Sequence, residues 1–197
     1  KARSLERTGE TVPIEIDNLK PTVLTPTHDH AIKTEGTNMA VRRDVLAEMG
    51  GFDPAFHFYL DETDLNMRLA ERGLSTAIVP LAEVHHGFHA SSRRGHNRVP
   101  RDLSDLGASL AVFLRNHCPE YRHAAVWADR QREQKNRLLR HMVAGDLEPR
   151  DVRRLMKGLR QGFEAGLKRR TGHQDPIPRA ADGFRAFPGK AGKQSML

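Results

Sequence analysis

Three carboxylates fall within four positions at Asp61-Glu62-Thr63-Asp64, following the aromatic-rich run Phe56-His57-Phe58-Tyr59. Ionised carboxylates at a helix N-terminus are favoured by the positive end of the dipole. A carboxylate beside aromatic walls can act as general base on a hydroxyl. Asp64 follows Asp61 by three positions, so the two share a helix face. Acidic residues also open helices for purely structural reasons, and the triplet taken alone favours that capping role. Histidine is the other reactive type, in His28-Asp29-His30 and in His85-His86 with His89 beyond them. Imidazole is a common metal ligand. Without a helical His-Glu-x-x-His signature, however, an independent zinc site is not expected.

Three stretches must position these groups. Residues 1–35 hold short extended runs broken by proline, such as Thr22 to Thr25 between Pro21 and Pro26, and read as strand or loop. Residues 36–100 read as mixed α and β. Thr37 to Val41 is a candidate strand, and Asp44 to Met49 a short helix stopped by Gly50-Gly51. Asp61 to Arg72 is a second helix, with Leu65 and Leu69 on one face and Gly73 as its stop. Thr76 to Val79 and Val84 to His86 are further candidate strands. Residues 101–170 change to helix. One segment ends near Cys118-Pro119, a second runs from Tyr121 to about Val143, and a third starts at Glu148-Pro149. Val152, Leu155, Met156, Leu159 and Phe163 recur at three and four, the stripe of an amphipathic helix. Residues 171–197, with Pro176, Pro178 and Pro188, are expected to be an unstructured tail.

Charge divides the same way. Residues 1–100 carry 12 Lys and Arg against 14 Asp and Glu, whereas residues 101–197 carry 20 against 11. The net +7 therefore belongs to the second half, which suits an anionic lipid surface or a solvated basic helical face. The single Cys118 excludes an internal disulfide framework and a cysteine zinc cage. No apolar run approaches the ~18 residues of a membrane span, and a cytoplasmic location is expected, with peripheral contact at the cytoplasmic face of a membrane. The chain begins with Lys1, which reads as a fragment of a longer protein.

The order of motifs adds a resemblance. Gly36-Thr37-Asn38, then Gly50-Gly51-Phe52-Asp53, then Asp61-Glu62-Thr63-Asp64-Leu65 with Arg68 and Gly73, is similar to the second half of a family 2 glycosyltransferase. The likeness covers about residues 34–98. It implies an α/β chain: residues 1–100 as the C-terminal half of a GT-A (Rossmann-like) domain, 101–170 as a basic helical region, and 171–197 as the tail. The acidic pair reads Asp61-Glu62, the reverse of the commoner order. The family's pattern implies Glu62 as catalytic base and Asp61 as its support. Asn38, Asp53, Tyr59 and Asp64 are implied to line the acceptor pocket, with Asp64 also organising the helix start. His86, 24 residues after Glu62, is implied as ligand to a divalent Mg or Mn, with His85 as the alternative because adjacent strand residues face opposite sides. Arg94 and Arg98, in the basic loop Ser91 to Arg98, are implied to close over the donor diphosphate as part of a mobile loop. Guanidinium groups suit that role by pairing bidentately with phosphate.

The implied reaction is inverting transfer from a nucleotide-sugar donor to a hydroxyl of a carbohydrate or lipid-linked acceptor. The family's Asp-x-Asp metal motif does not occur in this sequence, nor does a Gly-rich phosphate loop. The donor half is therefore expected to lie outside this chain, leaving a sheet edge or apolar surface open. The alternative is a non-catalytic basic helical module that binds anionic lipid, nucleic acid or a protein partner. Nucleic acid is disfavoured because Tyr121, Trp127 and Phe163 are the only interleaved aromatics of that region.

Overall fold

The computed structural model describes residues 2–178 except 88, 96 and 173. Four strands come first: β1 (Ala2–Glu6), β2 (Thr11–Ile14), β3 (Thr22–Leu24) and β4 (His30–Ile32). Two helices follow, α1 (Arg43–Glu48) and α2 (Asp61–Glu71), then β5 (Thr76–Ile78). The chain then turns helical through α3 (Ser104–His117), α4 (Glu120–Val143) and α5 (Pro149–Leu167). No helix among the described residues is long and apolar enough to cross a membrane.

The strands make two small sheets. One has the order β2-β1-β4, with Ser4 opposite both Val12 and Ile32; the other pairs β3 with β5. Every pair is antiparallel. The described residues thus make a mixed α/β arrangement of small antiparallel sheets and five helices. Two expected strands do not form. Thr37 to Val41 carries only the Glu35–Asn38 bridge, and Val84 to His86 is exposed and irregular. Among the described residues neither stretch joins a ladder of paired backbone groups.

Ala2 and Leu5 of β1 are both buried, and three positions apart they lie on opposite faces of the sheet. Leu5 joins Ala31, Ala55, Phe56 and Met67 in a cluster with Leu110, Phe113, Leu114 and Val126 of the helices. The segments divided at residue 100 thus share one core. A second cluster holds Leu103, Leu138, Val152, Leu155, Met156 and Leu159. Trp127 of α4 and Phe163 of α5 stack with centroids 3.9 Å apart.

Helices α3 and α5 lie almost backbone to backbone. A Cβ added to Gly162 would stand 1.9 Å from the Ser104 carbonyl oxygen. At Gly166 and Gly107 it would meet the Ala108 and Leu159 carbonyl oxygens at 2.3 and 2.1 Å. Only residues without a Cβ permit this approach. Helix α5 begins on a reciprocal capping box between Glu148 and Asp151, with Pro149 in its first turn.

The end of the described chain returns to its middle. Arg169 donates to the Ala55 carbonyl at 2.6 Å, and the Ile177 N–H donates to the Ala47 carbonyl at 2.8 Å. Gln174 and Ile177, within the stretch the sequence reads as an unstructured tail, thus lie against Asp53 and α1. Residues 179–197 lie outside the described residues.

Candidate active site

The turn before α2 is tightly specified. Gly50 and Gly51 both take positive φ, +75° and +82°, a region L side chains rarely adopt. Arg68, one turn into α2 from Asp64, holds this turn by donating to the Met49 and Gly51 carbonyls at 3.2 and 2.9 Å. Asp53 is buried, and its carboxylate accepts from the Ala55 N–H at 2.8 Å, closing an Asx turn. The chain then passes through Tyr59 and Leu60, both left-handed at φ 66° and 63° without being glycine. Such pairs cost of order 1–3 kcal/mol per residue and persist where the surroundings over-determine them. Here Ser109 of α3 donates to the Phe58 carbonyl at 2.6 Å, and Arg93 lies 4.0 Å over the Phe58 ring.

The three carboxylates that follow take three different environments. Glu62 is half-buried and accepts from Lys33 Nζ at 2.8 Å. Burial alone would push its carboxyl up, but the Lys33 hydrogen bond and charge outweigh that and hold it below the ordinary carboxylate range. Lys33 is itself fixed by donating to the Thr34 carbonyl at 2.7 Å. Asp61 shifts the other way, raised first by burial and then by its hydrogen bond to the Glu62 carboxylate. The pair is thus split, with Glu62 the member held ionised and Asp61 the member that keeps a proton to higher pH.

Asp64 is wholly buried. Arg68 Nε reaches its Oδ2 at 2.7 Å and His117 Nε2 its Oδ1 at 2.8 Å. Burial would raise it, yet the His117 hydrogen bond and the Arg68 charge leave it lowered. His117 Nδ1 faces Glu71 Oε1 at 3.5 Å, and Arg7 approaches the same Glu71 at 3.8 Å. Through His117, Asp64 ties α2 to α3. Asp53 and Asp64 both line a cleft of about 270 Å³ with Glu71, Asn116 and His117. The expected face-sharing of Asp61 and Asp64 does not give them a common environment, because Asp64 turns fully into the α3 contact.

Tyr59 belongs to a second cleft, of about 250 Å³, shared with Arg94 and Arg98. The loop carrying these arginines, expected to be mobile, is folded back on itself. Gly95 N–H donates to the Val99 carbonyl at 2.8 Å, and Arg101 N–H to the Arg93 carbonyl at 2.9 Å. Arg93 is ion-paired to Asp105 of α3 at 2.8 Å, and Asn97 donates to Asp146 at 2.6 Å. Asn38 lies elsewhere, donating to the Ala82 carbonyl at 2.7 Å, and Glu62 lines neither cleft.

His85 and His86 are both exposed, and because no strand forms there the opposite-faces argument between them falls. Among the described residues no three His, Cys, Asp or Glu side chains come together as a metal site.

Sequence reasoning missed Lys33 and His117, the partners of Glu62 and Asp64. Neither carries a local signal: Lys33 precedes Glu62 by 29 positions, and His117 follows Asp64 by 53.

Comparison with known proteins gives a partial likeness. Over 93 residues the chain is 39% identical to the N-acetylglucosaminyl-diphospho-decaprenol L-rhamnosyltransferase of Mycobacterium tuberculosis, in strains CDC 1551 / Oshkosh and ATCC 25618 / H37Rv alike. That match takes in 47% of this chain and 27% of the relative, so the chain spans about a quarter of the length of the curated relatives it matches. No family model matches the chain, and no solved structure does. The chain is thus a partial homologue of a glycosyltransferase.

Proposed function

We propose that this chain is the acceptor-side part of an inverting, family 2-like glycosyltransferase of GT-A type. Its partner half would bring the nucleotide-sugar donor, and the acceptor would be a lipid-diphosphate-linked sugar like the one in the relative's name. The observation that carries the reading is the split carboxylate pair at the mouth of α2, with Glu62 held ionised by Lys33. Glu62 removes the proton from the attacking acceptor hydroxyl. That oxygen then bonds to the anomeric carbon as the nucleoside diphosphate leaves from the opposite face with the bonding pair. Asp61 hydrogen-bonds Glu62 and keeps it oriented. Arg94 and Arg98 face the leaving diphosphate, where guanidinium groups offset developing charge. His86 is the one ligand this chain would offer to a divalent metal. The other ligands would come from outside the chain, and no step here depends on them.

The exposed apolar residues Leu19, Val23, Leu81 and Val84, around the β3-β5 pair, support an absent partner half. The rival nucleic-acid reading loses two of its three aromatics, because Trp127 and Phe163 are stacked on each other. The test is a donor screen of nucleotide-activated sugars, rhamnose included, with a lipid-diphosphate-linked N-acetylglucosamine acceptor. It uses the 197-residue chain alone and joined to a donor-binding half. Transfer is expected only from the joined protein. Transfer by neither protein, with both folded, would defeat the reading; transfer by the chain alone would show the donor site to be misplaced.

A further inference from the structure

The outward face of α5 carries charge that no other described residue answers. Its inward face is apolar, with Val152, Leu155, Met156 and Leu159 buried beside Gly162 and Gly166. On the opposite side Arg153, Lys157, Arg160, Glu164 and Lys168 follow at spacings of three and four, so they stand in one row. All five are exposed. At 1.5 Å of rise per residue the row is about 22 Å long. None of its four cations has an ion-pair or hydrogen-bond partner among the described residues. The flanking Arg150 and Arg154 are paired, with Glu148 at 2.7 Å and Asp151 at 3.2 Å. Helix α4 treats its charge differently. Arg130 and Arg132 there are answered by Glu133 and Asp129, each at 2.9 Å. Its unpaired Arg122, Lys135 and Arg140 are scattered rather than aligned at three and four. Like charges in such a row weaken a helix standing alone, and an anionic surface against them reverses the sign.

Two features favour lipid over nucleic acid as that surface. Leu167, seven residues after Arg160 and so on the same side, is 47% exposed beside the row. An apolar side chain among cations gains from a lipid headgroup boundary and nothing from hydrated phosphates. Phe163, the one aromatic of α5, is stacked on Trp127, so no platform for bases remains on this helix. We infer that the outward face of α5 seats the chain on an anionic bilayer, with Arg153, Lys157, Arg160 and Lys168 against lipid phosphates and Leu167 at the headgroup boundary. The row ends beside Arg169, which donates to the Ala55 carbonyl at 2.6 Å and meets His57 Nδ1 at 3.1 Å. The lipid-facing helix is thereby tied to the segment that runs into the acidic start of α2. A transferase with a lipid-anchored acceptor has use for that tie, and in this use alone the inference rests on the transferase reading.

Vesicle flotation of the 197-residue chain tests this. Vesicles of phosphatidylglycerol and phosphatidylcholine in equal parts should bind the chain and release it as salt rises, whereas pure phosphatidylcholine vesicles should not bind it. Each Lys or Arg near an anionic leaflet tightens binding ~5-fold, so Arg153→Gln, Lys157→Gln and Arg160→Gln together should weaken it ~100-fold. Glu164→Gln removes the one carboxylate of the row and should tighten binding. The control takes the same charge from α4 through Arg122→Gln, Lys135→Gln and Arg140→Gln, and should cost less than ~5-fold. All these side chains are exposed, and circular dichroism verifies that each variant is folded. No binding to the anionic vesicles, equal binding to both kinds of vesicle, or a folded α5 variant that binds as the parent does would overturn the inference. So would an equal loss in the α4 variant, which would reduce the effect to net charge. Duplex DNA that displaces the chain from vesicles through the same α5 residues would hand the face to nucleic acid instead. Vesicle binding without transfer in the joined protein would defeat the transferase reading and leave the bilayer contact standing.

Discussion

The α3–α5 contact and the β3–β5 pair solve the burial problem in opposite ways. In the first, Gly107, Gly162 and Gly166 let two backbones touch, and both apolar faces close on each other and on α4. In the second, three-residue strands leave Val23 at 69% exposure, with Leu19 and Leu81 nearby at 70% and 68%. The α3–α5 contact closes its apolar faces, while the β3–β5 pair leaves apolar side chains exposed. The tightly closed contact lies in the strongly basic half of the chain.

The largest expected effect breaks the tight side. Gly162→Ala forces the α3 and α5 backbones apart, and overpacking of this kind costs about 3 kcal/mol or more. Urea unfolding should register it as a lower midpoint. A loss under about 0.5 kcal/mol would mean that the helices are not packed as described. The next effect lies between the regions. In the joined enzyme Glu62→Gln should lower turnover per folded molecule by ~100-fold to 10,000-fold, and Asp61→Asn by less. Equal activity for Glu62→Gln and the parent would move the base to Asp61. Lys33→Met removes the cation that holds Glu62 down, so the acidic limb of the pH–rate profile should move to higher pH.

A smaller effect follows from His117. Burial would lower its pKa, but Asp64 and Glu71 raise it above the ordinary 6.5. A raised histidine stabilises the fold fully below 6.5 and loses that contribution as pH climbs through its folded value. Asp64 and Glu71 are lowered from 3.8 and 4.5, so their contribution is present above those values and is lost on acidification. The melting temperature should therefore be level between about 4.5 and 6.5 and fall on either side. His117→Gln should flatten the alkaline fall, and an unchanged slope would remove His117 from that role. The smallest effect tests the open side. Val23→Thr should change stability by no more than ~0.5 kcal/mol in the chain alone. A loss above about 1 kcal/mol would show that this face is already covered.

The helices were legible because their stops are chemical. Gly73, Pro119 and the Glu148-Pro149 pair end or begin segments whatever the tertiary context. Gly162 and Gly166, one helical turn apart, were also readable as a small-residue pair and mark the α3 contact. The strands were less legible because short extended runs do not say whether a pairing partner exists, and Val84 to His86 forms no strand. In the site, the turn and the acidic helix start were readable from spacing. The partners that decide protonation were not, because Lys33 and His117 arrive through tertiary packing.

The returning tail sets an order of events during synthesis. The Gly50-Gly51 turn can be braced early, as Arg68 emerges shortly after it and grips the Met49 and Gly51 carbonyls. Its second brace comes late, because Gln174, which reaches Asp53 at 3.5 Å, lies 121 residues further on. At ~5–20 residues per second a ribosome takes roughly 6–24 s to cover that distance. Through that interval Asp53 and the backbone of α1 stand without the chain end that later covers them. A nascent chain stalled within α5 would hold the motif in its first form, gripped by Arg68 alone.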